Sequence, residues 1–425
     1  MSIILQKNRI FKSLVSFLLV AVILFGSLVS CTSGAKNKND TDGSADKENN
    51  EVVIPDPPID DSLPVNERIV GVIENNKIRI YNTLRPSAYT LKYESESGVL
   101  KEYMDVGVIE RENKSRSIIG FIPQNVVPME AVRIGVYDSY GIKAGIIPID
   151  KSGDPDKGEL LYTFAALSDV HLPYEGSKQD FEKALNYLNG DGRVDFICIC
   201  GDLTGEGTKE ELEEYKEFVE KHSPNVNIYE ITGNHENHDS SKHNDQSIMP
   251  YTGDPLFYTV EKGDDLFIML GIKSAGKGSL FDIGTLIWLE KTVKQNKDKR
   301  CFLFQHVRPT DTSGNAEGKY KVDLWGGEEA ELFEKIVKNN PNLFFFHGHS
   351  HQPFSSQALE SNGIYDNSHG YHSFHIPSIT SPRFGGKNGE GYIIEVYENG
   401  VLLRGRDFAD GKFVPTAEYY IATSK

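Results

Sequence analysis

Apolar positions recur along this chain with two different periods, and the change of period divides it. Between 65 and 152 they fall into short runs, ERIVGVI, KIRIYN, YTLKYES, KEYMDVGVI, SIIGFIP, AVRIGVYD and KAGIIPI, punctuated by ENN, ESG, ENK and DSYG. Runs of this length between turn residues, with no helical period among them, predict strands. Seven of them in about 85 residues predict a small all-β sandwich, immunoglobulin- or fibronectin-like. From 153 to 425 apolar strand-like runs alternate with helical ones. KQDFEKALNYL places Phe181, Ala184, Leu185 and Leu188 on one helical face. TKEELEEYKEFVEKH opens with the capping-box spacing Thr208 to Glu211, then aligns Leu212, Tyr215, Phe218 and Val219. EEAELFEKIVKNN repeats the pattern with Leu332, Phe333, Ile336 and Val337. Alternation of this kind predicts an α/β layered core.

A different pattern precedes both. Lys7, Arg9 and Lys12 lead into LVSFLLVAVILF (14–25), the charged and apolar halves of an export signal. Leu28-Val29-Ser30-Cys31 resembles the lipobox of bacterial lipoproteins, which implies cleavage after residue 30 and a lipid on Cys31. The other reading is a plain membrane anchor, because 14–30 is close to the shortest span that crosses a bilayer. Residues 31–64 lack apolar periodicity and are rich in Asn, Asp, Ser, Gly and Pro, which reads as a tether reaching about 30 Å. The expected protein is therefore exported and anchored to a bacterial membrane on its periplasmic or extracellular side.

Charge narrows the partners. The formal net charge is −17, and removal of 1–30 would bring it to about −20, which argues against a long nucleic-acid track. Beyond Cys31 the cysteines are Cys198, Cys200 and Cys301. They form no CxxC pattern and read as small buried apolar groups, with a bridge to Cys301 left open.

Candidate chemistry is concentrated in the second region. All twelve histidines lie between 171 and 375, and several follow the end of an apolar run: LYTFAAL before SDVH, VDFICIC before GD, VNIYEI before TGNHENH, RCFLF before QHVRP, NLFFF before HGHSH. Ligands of open α/β sheets sit outside the carboxyl ends of the strands. Five such ends would bring Asp169, His171, Asp202, Asn234, His235, His306, His349 and His351 to one edge. Mixed His and Asp donors suit Zn, Fe or Mn, and their number exceeds what one ion needs. Two ions sharing a carboxylate could hold a hydroxide between them and clamp a phosphoryl oxygen.

Asp169-x-His171, Gly201-Asp202, Gly233-Asn234-His235-Glu236, His306 and Gly348-His349-x-His351 occur in order, at spacings that resemble the calcineurin-like metallophosphoesterases. The resemblance covers roughly 160–410 and implies a layered αββα sandwich. It implies that Asp169, His171 and His351 hold one metal, Asn234, His306 and His349 the second, and Asp202 both. It makes His235 the residue that faces the phosphoryl group and protonates the leaving oxygen, with Glu236 orienting it. Asp and not Glu often stands at 236 in the branch that GDLTGEG (201–207) resembles. The expected reaction is hydrolysis of a small-molecule phosphomonoester or phosphodiester by a metal-bridging hydroxide. The alternatives are a substrate- or glycan-binding surface lipoprotein without turnover, and a metal-dependent nuclease. Arg308 and Arg383 are candidate phosphate-side cations. His347 reads as the last residue of its strand, His222 as a helix end, His238 and His243 as solvated loop, and His369, His372 and His375 as loop residues that could rim a substrate. YIIEVYENGVLLRGRDFADGKF (392–413) reads as the closing strands of the region.

Overall fold

The computed structural model describes residues 69–423 apart from 75–76, 81–89, 106–108, 112–117, 122–126, 139, 150, 152–154, 238–254, 274–279, 310–326, 355–364 and 381–388. The leader, the tether and Cys31 lie outside the described residues, as do Arg383, His238 and His243. No described helix is long and apolar enough to cross a membrane.

The first region is all-β. Strands β1 (Ile69–Glu74), β2 (Lys77–Ile80), β3 (Thr90–Ser95), β4 (Gly98–Val99), β5 (Ile109–Arg111), β6 (Ile118–Phe121), β7 (Arg133–Tyr137) and β8 (Lys143–Pro148) are hydrogen-bonded in the order β4-β3-β7-β8-β1-β2-β6-β5. Alternation along the strands sends Leu91, Tyr93, Ile134, Val136 and Ile147 into a small core with Ala131.

Two six-stranded mixed sheets make up the second region. The first has the order β11 (Asn227–Ile231), β10 (Phe196–Cys200), β9 (Leu160–Leu167), β18 (Glu390–Tyr397), β19 (Gly400–Asp407), β20 (Lys412–Ala422). The second runs β12 (Phe257–Lys262), β13 (Asp265–Leu270), β14 (Cys301–Phe304), β15 (Leu343–His347), β17 (His372–His375), β16 (Tyr365–Asp366). Period-two alternation decides which side chains meet between the sheets. Phe164, Phe196 and Cys198 from the first sheet face Phe267, Phe302, Phe304, Phe344 and Phe346 from the second, all fully buried. Phe164 stacks on Phe196 with centroids 5.3 Å apart and meets Phe267 edge-on at 5.0 Å. Each ring contributes roughly 1.5–3 kcal/mol by burial.

The alternate positions point the other way, to helices. Ala165, Leu167, Ile197 and Ile199 pack under α1 (Ser177–Asn189) and α2 (Lys209–His222). Cys301, Leu303, Leu343 and Phe345 pack under α3 (Ile283–Gln295) and α4 (Glu328–Val337). The result is an αββα sandwich, with the α/β layers that the periodicity predicted in the arrangement that the resemblance implied. Phe181, Ala184, Leu185 and Leu188 are buried on α1, and the Thr208–Glu211 capping box forms on α2. Helix α3 is an element the sequence pattern did not disclose. Its Ile283 and Ile287 are 64% and 59% exposed, so apolar residues lie on both faces and blur the stripe. Cys198, Cys200 and Cys301 are buried free thiols.

KEYMDVGVI is not one strand. Residues 101–105 leave the β region, and Tyr103 pairs as an isolated parallel bridge with Phe413 of β20. The Tyr103 hydroxyl lies 3.0 Å from Glu130 Oε2 and 2.9 Å from Glu418 Oε2 and shares its one proton between them, and Met129 N donates to Glu418. Arg404 of the LLRGRDF run lies 4.0 Å over the Phe413 ring and is ion-paired with Glu130 and Glu395 at 3.1 Å. Arg406 lies over the same ring at 4.6 Å and over Tyr187 at 4.1 Å. The two arginines thus explain LLRGRDF: they brace the surface on which the β region is seated. Both regions belong to one compact unit, Asp56–Lys425.

Burial, joined by Glu130 and opposed by Arg404, pushes the Glu418 carboxyl from 4.5 up to about 7. A carboxyl raised on folding binds its proton more tightly in the folded chain, so its contribution is fullest below about pH 4.5 and is lost as pH rises to about 7. Glu418→Gln removes this loss. Its stability relative to the unaltered protein, measured by urea unfolding, is expected to rise by on the order of 2–3 kcal/mol between pH 5 and pH 8. A difference that stays flat across that range would assign Glu418 an ordinary carboxyl.

Candidate metal centre

The side chains singled out by position at strand ends do converge. β9 delivers Asp169 and His171, β10 delivers Asp202, β11 delivers Asn234 and His235, β14 delivers His306, and β15 delivers His349 and His351. The strands run parallel within each half (β9, β10 and β11 in one sheet, β14 and β15 in the other), which puts their carboxyl ends on one edge. Backbone geometry there is unusual. Asp169, His171, Asp202, His349 and His351 all have positive φ, between 51° and 70°, and among described non-glycine residues only Asn339 shares it. A left-handed residue with a Cβ costs energy that the surrounding contacts must offset, and such residues cluster at functional sites.

The contacts that hold these turns are visible. Ser168 Oγ donates to Asp169 Oδ2 at 2.6 Å, and Ser378 and Thr380 hydroxyls donate to the Asp169 carbonyl. Glycines precede the donors because neighbouring side chains press against their backbone. A Cβ on Gly348 would meet Ser168 Oγ at 1.9 Å, and one on Gly233 would meet Asp202 Oδ1 at 2.1 Å.

Two overlapping groups result. Donor atoms of Asp169, His171, Asp202 and His351 lie within 4.8 Å of one another, and so do those of Asp202, His306 and His349. His351 Nε2 is 2.8 Å from Asp169 Oδ1 and 3.0 Å from His171 Nε2; His306 Nε2 is 3.1 Å from Asp202 Oδ2. Asp169, His171, Asp202 and His306 are at most 1% exposed. Burial alone would push both carboxyls up, but the imidazoles of His351 and His306 hold Asp169 well below its ordinary range, and His306 does the same for Asp202. Burial would likewise lower His306, yet Asp202 and Asp169 raise it to about 9.

These residues fit a metal ion. Asp169 Oδ1, Asp202 Oδ2, Asn234 Oδ1 and His306 Nε2 are buried and have no hydrogen-bond partner among the described residues. Buried polar atoms are ordinarily paired, and those of Asp169, Asp202 and His306 lie within the two donor groups, where a cation would satisfy them. Mixed oxygen and imidazole donors suit a divalent or transition metal.

Residues 162–353 match the calcineurin-like phosphoesterase family. Over 156 residues, 34% of its length, the chain is 30% identical to a probable glycerophosphodiester phosphodiesterase of Arcobacter nitrofigilis, and it spans just over half (56%) of that relative. Among solved structures it resembles the inner-membrane-complex anchor GAP50 of Plasmodium, at 13% identity and a TM-score of 0.46 over 63% of this chain and 90% of that one. It also resembles a purple acid phosphatase from yellow lupin (Lupinus luteus) seeds, at 12% identity and a TM-score of 0.44 over 84% and 74%.

Part of the site differs from the sequence expectation. Glu236 does not orient His235. Its carboxylate is fully buried and accepts from Asp202 N, Thr204 N, Thr204 Oγ1 and Gly233 N, at 2.7–3.1 Å. It therefore ties the GDLT turn to the GNH turn. Burial and the nearby Asp202 charge push it up, while the Thr204 and Gly233 amides pull the other way. The partner of His235 Nδ1 is the Gly205 carbonyl, and Tyr174 Oη donates to that same oxygen at 3.1 Å. His235 Nε2 faces Asp202 Oδ2 at 3.9 Å. No spacing rule points to Gly205, since the contact is made by a backbone oxygen 30 residues away.

Arg308 is 2% exposed and lies close to His347 and His375. His347 ends β15 and is buried, and His222 ends α2. His372 and His375 belong to β17 and are not loop residues.

Proposed function

We propose that this protein is a membrane-anchored, two-metal phosphodiesterase acting on a small phosphodiester such as a glycerophosphodiester. The single observation carrying the two-metal reading is Asp202, which belongs to both donor groups. Asp169, His171 and His351 would hold one ion, Asn234, His306 and His349 the other, and Asp202 both. Bound metals supply Lewis acidity toward a phosphoryl oxygen and a nucleophile from water at neutral pH. The chain's own residues do the rest. Asp202 and Asp169 neutralise the cations, and Glu236 fixes the turns that present Asp202 and Asn234. His235, held through Nδ1 by Gly205, turns Nε2 toward the centre, where it stabilises the phosphoryl group and, as the imidazolium, gives its Nε2 proton to the leaving oxygen. The preference for a diester rests on the phosphodiesterase relative, and the charge of −17 favours a small substrate over a polymeric nucleic acid. Membrane attachment rests on the lipobox-like LVSC at 28–31.

A panel of bis-p-nitrophenyl phosphate, p-nitrophenyl phosphate, glycerophosphodiesters, cyclic nucleotides and single-stranded DNA, assayed with Mn or Zn, tests the assignment. Diesters of small alcohols are expected to be turned over with the highest kcat/KM. Faster cleavage of DNA would favour the nuclease reading, and no turnover on any member would favour a binding protein.

A further inference from the structure

The loop Gly348–His351 carries two candidate ligands, both in the left-handed region, with φ of 70° at His349 and 55° at His351. Ser350 lies between them and is 1% exposed. Its side chain does not face the metal centre. Ser350 Oγ is hydrogen-bonded to His375 Nε2 at 2.5 Å, and Gln352 N donates to the same hydroxyl at 3.4 Å. Ser350 N donates to the Gly348 carbonyl at 2.8 Å, which closes the turn on itself.

His375 is well placed to act as an anchor. It is fully buried at the end of β17, which pairs parallel with β15 so that His375 lies opposite His347. Ile376 N donates to the His347 carbonyl at 2.7 Å, which locks the two strand ends together immediately before the ligand loop. His375 belongs to neither donor group. A buried imidazole on a rigid strand, with a hydrogen bond to the residue between two ligands, is a support of the kind that sets metal affinity from outside the coordination sphere.

We propose that His375 is a positioning residue for metal binding. Its hydrogen bond to Ser350 keeps Gly348–His351 in the strained turn that aims the imidazoles of His349 and His351 at the centre. The inference rests on the metal reading above, and its test reads metal affinity directly.

Metal-depleted full-length protein is titrated with Mn by calorimetry for the unaltered chain, Ser350→Ala, His375→Phe, the double variant and His375→Gln. Each of the two disrupting variants is expected to weaken Mn binding about 10- to 100-fold. The double variant should be no weaker than the worse single, because both remove the same bond. His375→Gln, which can still reach the hydroxyl, should recover most of the affinity. Thermal midpoints of the metal-free forms should agree to within about 5 °C, so that the loss is not one of folding. If His375→Phe does not fold, the contrast between Ser350→Ala and His375→Gln still decides. Mn affinities within about twofold of the unaltered protein in Ser350→Ala and His375→Phe, or effects that add in the double variant, would overturn the inference alone. Absence of Mn binding by the unaltered protein would instead overturn the metal reading and this inference with it.

Discussion

Replacing Asp202 by asparagine is expected to lower phosphodiester hydrolysis about a thousand-fold or more while leaving the fold in place. The fold is expected to survive because asparagine keeps the Oδ1 acceptor for His235 N, which lies at 2.9 Å. What changes is Oδ2, the buried atom without a hydrogen-bond partner, which faces His306 at 3.1 Å and His171 at 3.8 Å. An amide nitrogen there carries no negative charge and donates where a cation would be held. In the metal-free chain the exchange also removes a buried charge that pushes Glu236 up. It also leaves the buried His306 without the carboxylate that raises it to about 9, so the thermal midpoint of the metal-free variant is expected to fall by a few degrees while the folded spectrum is retained. Initial rates on bis-p-nitrophenyl phosphate at saturating Mn, with circular dichroism as the control on folding, check both halves. Retention of more than about a tenth of the activity would remove Asp202 from the reaction.

His235→Ala should separate chemistry from metal binding. With Nδ1 tied to the Gly205 carbonyl, Nε2 is the ring nitrogen that faces the centre. Proton transfer of this kind contributes about 10²- to 10⁴-fold, and only where the leaving oxygen needs a proton. kcat on a glycerophosphodiester is therefore expected to fall by at least about a hundred-fold, against less than about tenfold on a nitrophenyl diester, whose leaving group departs unprotonated. Mn affinity should stay within about twofold, because His235 lies in neither donor group. Equal losses on both substrates would assign His235 to phosphate binding alone.

Much of this was legible in the chain because two rules act locally. Alternation sorts Phe344 and Phe346 inward and Phe345 outward against Phe333, so the strand and its two faces can be read from FFF itself. The end of an apolar run in a parallel sheet marks the ligand edge, and the same reading found Asp169, Asp202, His306 and His349 at four different strand ends. What stayed hidden depends on contacts between residues far apart. Glu236 follows His235 directly, yet its carboxylate turns to Thr204 and Gly233, because four converging donors outweigh one neighbouring ring. Tyr103 sits in an apolar run that reads as another strand, but its ring packs 5.3 Å from Phe413 and its hydroxyl reaches Glu418, 315 residues on. Helix α3 was hidden for a simpler reason, its exposed Ile283 and Ile287.

The central claim is that paired metals at the Asp202 edge make this chain a phosphodiesterase. Its most direct test is to strip the protein with a chelator, then restore Mn stepwise while following bis-p-nitrophenyl phosphate hydrolysis and bound metal together. The account predicts no hydrolysis in the stripped protein and recovery that saturates near two equivalents of metal per chain. Hydrolysis by the metal-free protein, or metal taken up at Asp202 with no hydrolysis at any loading, would contradict it.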